Sequence, residues 1–294
     1  MNIIITGVNG LLGYEVAKLF LENKNNHVYG VSRSMSQFNV SNYYHINKSI
    51  EDDTFIDNLP EVCDIIIHLA QSEHFRIFPE KARNIFDVNI RSTQLLLDYA
   101  YKAKCRQFIY TSSGGIYGEG HHVFSENKKI FLNSDIGYYL SSKLIGELLA
   151  MNYRNYFIVK ILRPFFIFGE RQRKTMLIPR LIEQIKNGTP IKINEQGGIK
   201  INPIYVQDAA RAILEIIKTE NSDIYNICGN QIMSIKEICE KIGQQLNLIP
   251  LFKLDANLSN NDIIGDNRKL KEMGFEYQYT FNEGIKRMII NSST

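Results

Sequence analysis

A tyrosine and a lysine stand four positions apart in the stretch DIGYYLSSKLIGE, residues 135–147. Positions four apart share one face of an α-helix, so Tyr139 and Lys143 can meet, whereas Tyr138 lies about 140° away from Lys143. A phenol beside an ammonium is suited to proton transfer, because the positive charge favours the phenolate. An isolated spacing of this kind often arises by chance, so its chemistry depends on what the rest of the chain supplies.

Three glycines follow the first apolar run of the chain, in NIIITGVNGLLGYEVAKLFLEN. The pattern predicts a β-strand, a tight turn and a helix. Gly7 would make the turn, Gly10 would let the backbone approach a pyrophosphate, and Gly13 would let the helix pack closely on the strand. We therefore predict a dinucleotide-binding loop at the start of the chain.

The second predicted strand, HVYGVSRS, ends without the acidic residue that NAD-binding proteins usually carry for the ribose 2′-hydroxyl. Ser32 and Arg33 stand there instead. A guanidinium and a hydroxyl can bind the 2′-phosphate of NADP, which a carboxylate would repel. The sequence therefore favours NADP as the cofactor, with NAD as the alternative.

Further apolar runs alternate with helical patterns, among them CDIIIHLA, CRQFIYTSS and FIVKILRP. This alternation is typical of a parallel sheet with helices on its faces. Ligands bind such sheets at the carboxyl ends of the strands, so the residues that follow each run are candidates for a site. These candidates are Ala70, Ser112, Ser113 and Arg163.

Composition narrows the classes of function. The chain has 294 residues, is 44% hydrophobic and carries a net charge of +3, which suits a packed enzyme and lacks the basic block of a nucleic-acid binder. Its four scattered cysteines have no C-x-x-C spacing, which argues against zinc and against a disulfide framework. The N-terminus has no basic leader, and no apolar stretch approaches the ~20 residues of a membrane span. We expect a cytoplasmic enzyme that acts on a small molecule and binds no metal, nucleic acid or membrane.

Several motifs, in order along the chain, resemble the extended short-chain dehydrogenase/reductase family, in particular its nucleotide-sugar epimerases, dehydratases and reductases. They are TGVNGLLG, DIIIHLA, VNIRST, YTSSGGIYG, YYLSSKLIGE, LRPFFIFG, INPIYVQDAARAI and YNICGN. The resemblance implies an α/β fold, a Rossmann-like doubly wound parallel sheet with a smaller C-terminal substrate domain. It implies a dinucleotide-binding domain over residues 1–165 with a returning segment near 203–219, and a mainly substrate-binding domain over residues 166–294.

The resemblance also implies roles for individual residues. Tyr139 would be the general acid/base, and Lys143 would bond the nicotinamide ribose and lower the pKa of Tyr139. Ser113 would hydrogen-bond the reacting oxygen, with Ser112 as the competing position. The implied cofactor-binding residues are Gly7, Asn9, Gly10, Leu11, Leu12, Gly13, Ser32, Arg33, Leu69, Ala70, Asn89, Tyr139 and Lys143. The implied substrate-binding residues are Ser113, Phe166, Lys200 and Arg268.

The chain departs from the family pattern at three places. Gly114 and Gly115 stand where dehydratases carry an acidic residue, so elimination lacks its base, and decarboxylation that relies on a glutamate there is disfavoured as well. Phe166 stands where a substrate-binding asparagine is frequent, and Ile201 replaces an arginine that binds the substrate diphosphate. Three cations are weak substitutes for that arginine, namely Arg171, Lys200 and Arg268.

Two hypotheses for the reaction need the same serine, tyrosine and lysine. The first is an NADPH-dependent 4-ketoreductase that makes a nucleotide-linked deoxysugar, favoured by the missing carboxylate after the second strand and by the compact length. The second is a 4-epimerase that oxidises carbon 4 transiently, returns the hydride to the other face and retains NAD. A reductase of a non-sugar ketone and a non-catalytic NADP-binding regulator are further alternatives.

Two predicted helices, near residues 86–103 and 138–151, are expected to pack against their symmetry mates by analogy with relatives. The second helix is predicted to bury a stripe of Leu140, Leu144 and Leu148. We therefore expect a homodimer that takes a nucleotide-linked sugar as its small-molecule partner.

Overall fold

The computed structural model describes residues 1–118, 120, 122–130, 136–258 and 261–291. The chain divides into two compact units, which we describe separately. Unit 1 comprises Met1–Ile116, Ile130–Arg163 and Ala210–Tyr225, and unit 2 comprises Tyr117–Lys129, Pro164–Ala209 and Asn226–Thr294. The segment of the second half that clusters with unit 1 is therefore Ala210–Tyr225, whereas the sequence predicts a return near 203–219. The cofactor-binding and substrate-binding roles of the two parts stay predictions.

A seven-stranded sheet forms the centre of unit 1, because runs of β-branched residues at its strands suit a sheet that is buried on both faces. The strands are β1 (Asn2–Thr6), β2 (His27–Ser32), β3 (Tyr43–Asn47), β4 (Ile65–His68), β5 (Gln107–Thr111), β7 (Ile158–Pro164) and β12 (Asp223–Ile227). Their order is β12-β7-β5-β4-β1-β2-β3, and the pairs from β7 to β3 are parallel. The predicted Rossmann-like fold is confirmed, and its order reverses between β1 and β4, where such sheets bind ligands.

Helices connect the parallel strands and continue into unit 2. The α-helices are α1 (Leu11–Leu21), α2 (Ala82–Phe86), α3 (Ser92–Lys102), α4 (Gly137–Asn152), α5 (Leu177–Lys186), α6 (Val206–Ile217), α7 (Ile235–Leu246), α8 (Arg268–Glu272) and α9 (Phe281–Asn291). Two short 3₁₀-helices cover Asp53–Asn58 and Gly114–Tyr117, and one turn of π-helix covers Asp87–Arg91. Within the described ranges, no helix is long and apolar enough to cross a membrane.

Short strand pairs organise unit 2. β8 (Ile167–Phe168) pairs with β11 (Ile204–Tyr205), β9 (Ile191–Ile193) with β14 (Phe252–Leu254), β10 (Lys200–Ile201) with β13 (Met233–Ser234), and β6 (Val123–Phe124) with β15 (Ile264–Gly265). Ser234 caps α7 with a capping box, in which its hydroxyl accepts from Glu237 N and the Glu237 carboxylate accepts from Ser234 N.

The core of unit 1 follows from the register of its central strands. Ile4, Ile66 and Phe108 lie side by side on β1, β4 and β5, and each is fully buried. They pack in one cluster with Leu96 and Ala100 of α3. Burial of such side chains stabilises a fold by about 1.5–3 kcal/mol each, so this layer fixes the sheet edge that carries the candidate site.

The buried face of α4 differs from the predicted leucine stripe. Leu144 is buried, but Leu148 is 58% exposed, so the prediction for Leu148 was wrong. The face that packs on the sheet runs through Lys143, Glu147 and Ala150, each at most 4% exposed. Two ionisable side chains of the helix, Lys143 and Glu147, therefore face the sheet, which hydrophobic periodicity does not predict.

Candidate active site

The glycine turn after β1 has the backbone geometry that a dinucleotide loop requires. Gly7 adopts φ +68°, and its backbone lies against Ala70, which follows β4. At Gly13 a Cβ atom would lie 2.2 Å from Gly7 O, so no larger residue fits. α1 begins at Leu11, and the first N–H groups of a helix have no acceptor within it, so this N-terminus suits an anion.

Asn9 lies between this turn and the end of β2. Its amide nitrogen donates to the hydroxyls of Ser32 (2.9 Å) and Ser34 (2.8 Å) and to Met35 O (2.8 Å). Its Oδ1 atom is buried and has no hydrogen-bond partner among the described residues. A buried acceptor without a partner beside a glycine cradle fits a bound dinucleotide, whose hydroxyl groups can donate to it.

Arg33 is already paired at the position where the sequence predicts a 2′-phosphate contact. Its guanidinium donates to Glu73 Oε1 at 2.9 Å, and both side chains are partly exposed. Glu73 lies in the loop after β4, so an acidic group does reach the end of β2, from a distant part of the sequence. Ser32 is also engaged, because its hydroxyl donates to Ser34 O at 3.0 Å.

Tyr139 and Lys143 lie one turn apart at the start of α4. The Tyr139 hydroxyl donates to Gln71 Oε1 at 2.8 Å. The buried Lys143 ammonium donates to Thr111 O at 2.9 Å, at the carboxyl end of β5. Its nitrogen also lies 5.5 Å from the centre of the Tyr110 ring. The structure therefore brings both predicted groups to the strand end where Ser113 follows.

Burial dominates the ionisation of this pair. It raises the pKa of Tyr139 well above the ordinary value of a tyrosine, and it lowers the pKa of Lys143 to about 7. The direction for Tyr139 is opposite to the lowering that the family resemblance implies. The reason is burial of the Tyr139 phenol itself, while the Lys143 ammonium bonds the backbone carbonyl of Thr111 rather than the phenol.

The two serines after β5 differ in their surroundings. Ser112 is 1% exposed, and its hydroxyl has no partner in the part of the chain that the structure describes. Ser113 is half-buried, and its hydroxyl accepts from Gly115 N at 3.2 Å. Ser113 therefore remains the better candidate to bond a substrate oxygen, since this contact does not use its hydroxyl hydrogen.

The buried side chain of Asn89, in the π-helical turn, links the loop after β4 to α4. Its Oδ1 accepts from Ser72 N at 2.9 Å, and its Nδ2 donates to Ser142 Oγ at 2.9 Å. Ser142 Oγ in turn donates to Tyr139 O at 2.6 Å. We call this set the Asn89 bracket. The amide that the resemblance assigns to cofactor binding thus bonds protein groups, and it sets the position of Tyr139.

Sequence reasoning missed His68, which is fully buried at the end of β4. Its ring nitrogens bond Thr6 Oγ1 at 2.7 Å and Thr93 Oγ1 at 3.0 Å. Burial, with the nearby Lys143 charge, lowers the pKa of His68 to about 3, so the imidazole is neutral at physiological pH. The sequence could have indicated His68 through strand pairing: His68 ends β4, Thr6 ends β1, and the two residues pair across these neighbouring strands. Leu69 and Ala70 follow directly, and Ala70 N donates to Thr6 Oγ1 at 3.2 Å.

The other predicted substrate residues belong to unit 2. Phe166 adopts φ +49°, and Lys200 is exposed on β10. Arg268 donates to both carboxylate oxygens of Asp266, at 3.1 and 2.8 Å through Nε. Ile201, at the family's arginine position, is fully buried and bridges to Ile263, so no side chain there reaches solvent.

Unit 2 contains an open cavity of about 460 Å³. Asn202, Asn230, Asn267, Arg268 and Lys271 are among the residues that line it, whereas Phe166 and Lys200 are not. Asp266 also lines the cavity and pairs with Arg268, so Lys271 and the amides are the groups that suit a polar, anionic ligand. Among the described residues, no three acidic, histidine or cysteine side chains cluster as metal ligands would.

Comparison with known proteins places the chain. The model of the NAD dependent epimerase/dehydratase family matches residues 3–228. The chain belongs to this family. The resemblance to extended short-chain dehydrogenases/reductases is confirmed, and the chain is an enzyme of that type.

Curated relatives in this family cover most of the chain. The Low-salt glycan biosynthesis protein Agl12 of Haloferax volcanii is 27% identical over 98% of this chain and 97% of its own length. UDP-glucuronate 4-epimerase of Thermodesulfobacterium geofontis is 26% identical over 97% of this chain and 94% of its own length. Mouse dTDP-D-glucose 4,6-dehydratase is 28% identical over 85% of this chain and 74% of its own length.

Solved structures share the fold. UDP-glucuronic acid 4-epimerase from Bacillus cereus, in complex with UDP-glucuronic acid and NAD, has a TM-score of 0.85 and 22% identity, over 100% of this chain and 99% of that chain. Similarity at this level of identity shows the architecture.

Proposed function

We propose that the chain is an NAD-dependent 4-epimerase of a pyrimidine nucleotide sugar. Three observations support this function. The glycine loop fits a dinucleotide, and Ser113, Tyr139 and Lys143 lie after β5 and on α4 in the same unit. Two of the named relatives are a UDP-glucuronate 4-epimerase and a dTDP-D-glucose 4,6-dehydratase. The non-sugar ketone reductase and the regulator have no comparable support.

The observation that carries the choice between epimerase and reductase is the pair of Arg33 and Glu73 at 2.9 Å. A carboxylate at the end of β2 repels a 2′-phosphate and suits the two free hydroxyls of the NAD ribose. The argument for NADP from Arg33 requires an unpaired guanidinium, and Glu73 already neutralises it. We therefore favour NAD, which epimerases of this family retain through the reaction.

The residues of the chain would act on the proton of the 4-hydroxyl. NAD, held by the glycine loop after β1, would supply the hydride chemistry at carbon 4. Tyr139 would take the hydroxyl proton on oxidation and give it back on reduction, a role that requires the phenolate and therefore opposes the rise that burial gives its pKa. Ser113 would hydrogen-bond the same oxygen, and Lys143, one helical turn from Tyr139 and with a pKa that burial lowers to about 7, carries a partial positive charge at neutral pH.

Dehydration is not supported by the residues after Ser113. Gly114 and Gly115 begin a short 3₁₀-helix and carry no side chain that could remove a proton next to a ketone. Oxidation at carbon 4 would therefore be followed by return of the hydride rather than by elimination. This distinguishes the proposed reaction from that of the dehydratase relatives.

The experiment is to incubate the purified protein with UDP- and dTDP-linked hexoses and hexuronic acids without added cofactor. NMR of the products should show interconversion of the two 4-epimers, and absorbance at 340 nm should show no net change in reduced cofactor. The Tyr139→Phe protein is the control. A second reaction contains a nucleotide-linked 4-keto sugar and added NADPH; consumption of NADPH there, without epimers in the first reaction, would contradict the epimerase.

The second candidate, an NADPH-dependent 4-ketoreductase, is favoured by Ser32 and Arg33 at the end of β2. Titration of NADH and NADPH into the wild type, Arg33→Ala and Glu73→Gln separates the two. For the epimerase, NADH binds more tightly to the wild type, and Glu73→Gln improves NADPH binding by about tenfold, as loss of a charge repulsion predicts. For the reductase, the wild type prefers NADPH, and Arg33→Ala weakens NADPH alone.

We also propose a homodimer. Apolar side chains of α3, α4 and the turn after α4 are exposed, namely Tyr101 (55%), Ile145 (41%), Leu148 (58%) and Tyr156 (66%). Such exposure suits an isologous helix contact. Analytical ultracentrifugation of the wild type and of Leu148→Glu tests the dimer: we expect a dimer for the wild type and a monomer for the variant.

The cytoplasmic location stays a prediction.

A further inference from the structure

The loop after β4 contacts Tyr139 at two points. The tyrosine hydroxyl donates to Gln71 Oε1 at 2.8 Å, and the ring of Phe75 packs against the tyrosine ring with centroids 5.1 Å apart. Gln71 itself is exposed, so tight packing does not fix the orientation of its amide. The contact is therefore a hydrogen bond to the reactive hydroxyl rather than part of the core.

The Asn89 bracket fixes the distance across this contact. Asn89 holds Ser72, the residue after Gln71, and through Ser142 it also holds the Tyr139 carbonyl. Ser72 Oγ further donates to Asn84 Oδ1 at 2.5 Å. The backbones on either side of the Gln71–Tyr139 bond are therefore tied to one buried amide, and the side-chain amide can turn without any shift of the backbone.

Proton transfer changes what the tyrosine oxygen requires. A neutral phenol needs an acceptor for its hydrogen, whereas a phenolate needs a donor, and a side-chain amide offers both. We propose that Gln71 is a positioning residue for Tyr139: its carbonyl accepts from the neutral phenol and, after the amide turns, its NH₂ donates to the phenolate. This inference rests on the proposed role of Tyr139 as acid/base.

The charged groups near Tyr139 bond other partners, so they do not bond its hydroxyl. Lys143, on the same helix, donates to Thr111 O, and Tyr110 on β5 has a pKa that burial raises well above its usual value. The loop after β4 carries Glu73, which pairs with Arg33, and His74. Among the described residues, Gln71 is thus the group that bonds the phenol oxygen of Tyr139, and its side chain carries no charge.

The experiment varies donor and acceptor at position 71. Gln71→Glu only accepts, Gln71→Leu does neither, and Gln71→His, like glutamine, does both. The protein is labelled with 3-fluorotyrosine and saturated with NAD, and Tyr139→Phe assigns the resonance of Tyr139. We expect Gln71→Glu to move the pH midpoint of that resonance upward by about one unit, because a carboxylate disfavours the phenolate.

Turnover gives the second readout. Gln71→Leu should lower the epimerisation rate by about tenfold in both directions, the loss expected for one hydrogen bond to a charged group, and Gln71→His should recover part of it. Gln94→Glu is the matched control, since Gln94 bonds Tyr153, fourteen positions along the chain from Tyr139, and it should leave midpoint and rate unchanged.

The outcomes separate this inference from the proposed function. An unmoved Tyr139 midpoint in Gln71→Glu, together with a rate within twofold of wild type in Gln71→Leu, overturns the inference whether or not the protein epimerises sugars. A shifted midpoint without any epimerisation upholds it and overturns the function instead. A loss in Gln71→Leu that Gln71→His does not reduce shows a packing effect, which also overturns it.

Discussion

Selected cationic side chains differ in solvent exposure between the two units. In unit 1, Lys143 is 1% and Arg163 3% exposed, and each is bonded by protein groups at the end of the sheet. In unit 2, the side chain of Arg268 is 77% exposed, and Lys200 also lies at the surface. The charges of Lys143 and Arg163 are desolvated before any ligand arrives, whereas those of Arg268 and Lys200 remain hydrated.

This difference separates two kinds of site. A desolvated charge has a shifted pKa and a fixed direction, which general acid/base chemistry requires. A hydrated cation can bind many anions at little cost, but it gives little selectivity. The buried charges of unit 1 therefore suit acid/base chemistry, whereas the exposed cations of unit 2 suit the binding of an anion.

The largest effect is expected for Tyr139→Phe. The change removes the proton donor of unit 1 and little binding surface, so turnover should fall 10²–10⁴-fold, the usual loss for general acid/base catalysis, with cofactor affinity nearly unchanged. Steady-state rates and NADH titration measure the two quantities. Tyr138→Phe, whose ring stacks on Phe78, is the matched control and should be mild. If Tyr139→Phe keeps more than about a tenth of wild-type turnover, Tyr139 and Lys143 have a structural role and Tyr139 is not the general acid/base.

Arg163→Met should show how much unit 1 depends on its buried charges. Arg163 bonds Glu147 through Nε at 2.9 Å and through a terminal nitrogen at 2.6 Å, and both side chains are at most 5% exposed. Removal of one partner leaves an uncompensated buried carboxylate, so the free energy of unfolding should fall by about 3–5 kcal/mol in urea titration. The double variant Glu147→Leu with Arg163→Met should recover most of that loss. A single variant as stable as wild type would contradict the buried pair.

His68 should make the stability of the protein depend on acid. Its pKa of about 3 in the folded protein lies below the ordinary 6.5, so between these values the unfolded chain binds one more proton than the folded one. Stability is therefore complete above pH 6.5 and is lost as pH falls, by about 1.4 kcal/mol per pH unit. Urea titrations at pH 6.5, 5.5 and 4.5 should show this slope, reduced by that amount in His68→Gln. An identical slope in both proteins would mean that His68 is not the group.

Some of the fold and site was predictable because the backbone requires it. Gly7 and Gly13 allow close approach that any Cβ atom would prevent, and the spacing of Tyr139 and Lys143 fixes their common face. Such constraints leave a local pattern in the sequence. The Arg33–Glu73 pair, in contrast, joins residues forty positions apart through exposed side chains, and no local pattern encodes it.

Other expectations failed where the sequence pattern was ambiguous. Leu148 continues the spacing of Leu140 and Leu144, yet the buried face of α4 is centred on the polar Lys143 and Glu147. Hydrophobic periodicity cannot predict this arrangement, because it assumes that the buried face is apolar. The Gln71 contact was similarly hidden, since its only local signal is a position directly after Ala70.

Arg268→Ala should have the smallest effect, and it tests the surface character of unit 2. The guanidinium already bonds the carboxylate of Asp266, two residues earlier; the Arg268 side chain is 77% exposed, whereas that of Asp266 is 10% exposed. To bind a substrate diphosphate, Arg268 would have to leave that carboxylate or share its charge, so we expect the KM for the nucleotide sugar to change less than threefold. Lys271→Ala is the comparison, because Lys271 lines the same cavity and makes no ion pair among the described residues, and its loss should raise KM more. A tenfold rise in KM for Arg268→Ala, with no change for Lys271→Ala, would contradict this expectation. Arg268 would then bind the diphosphate in place of the arginine that the family carries at the position of Ile201. An exposed cation of unit 2 would in that case contribute to specific ligand binding.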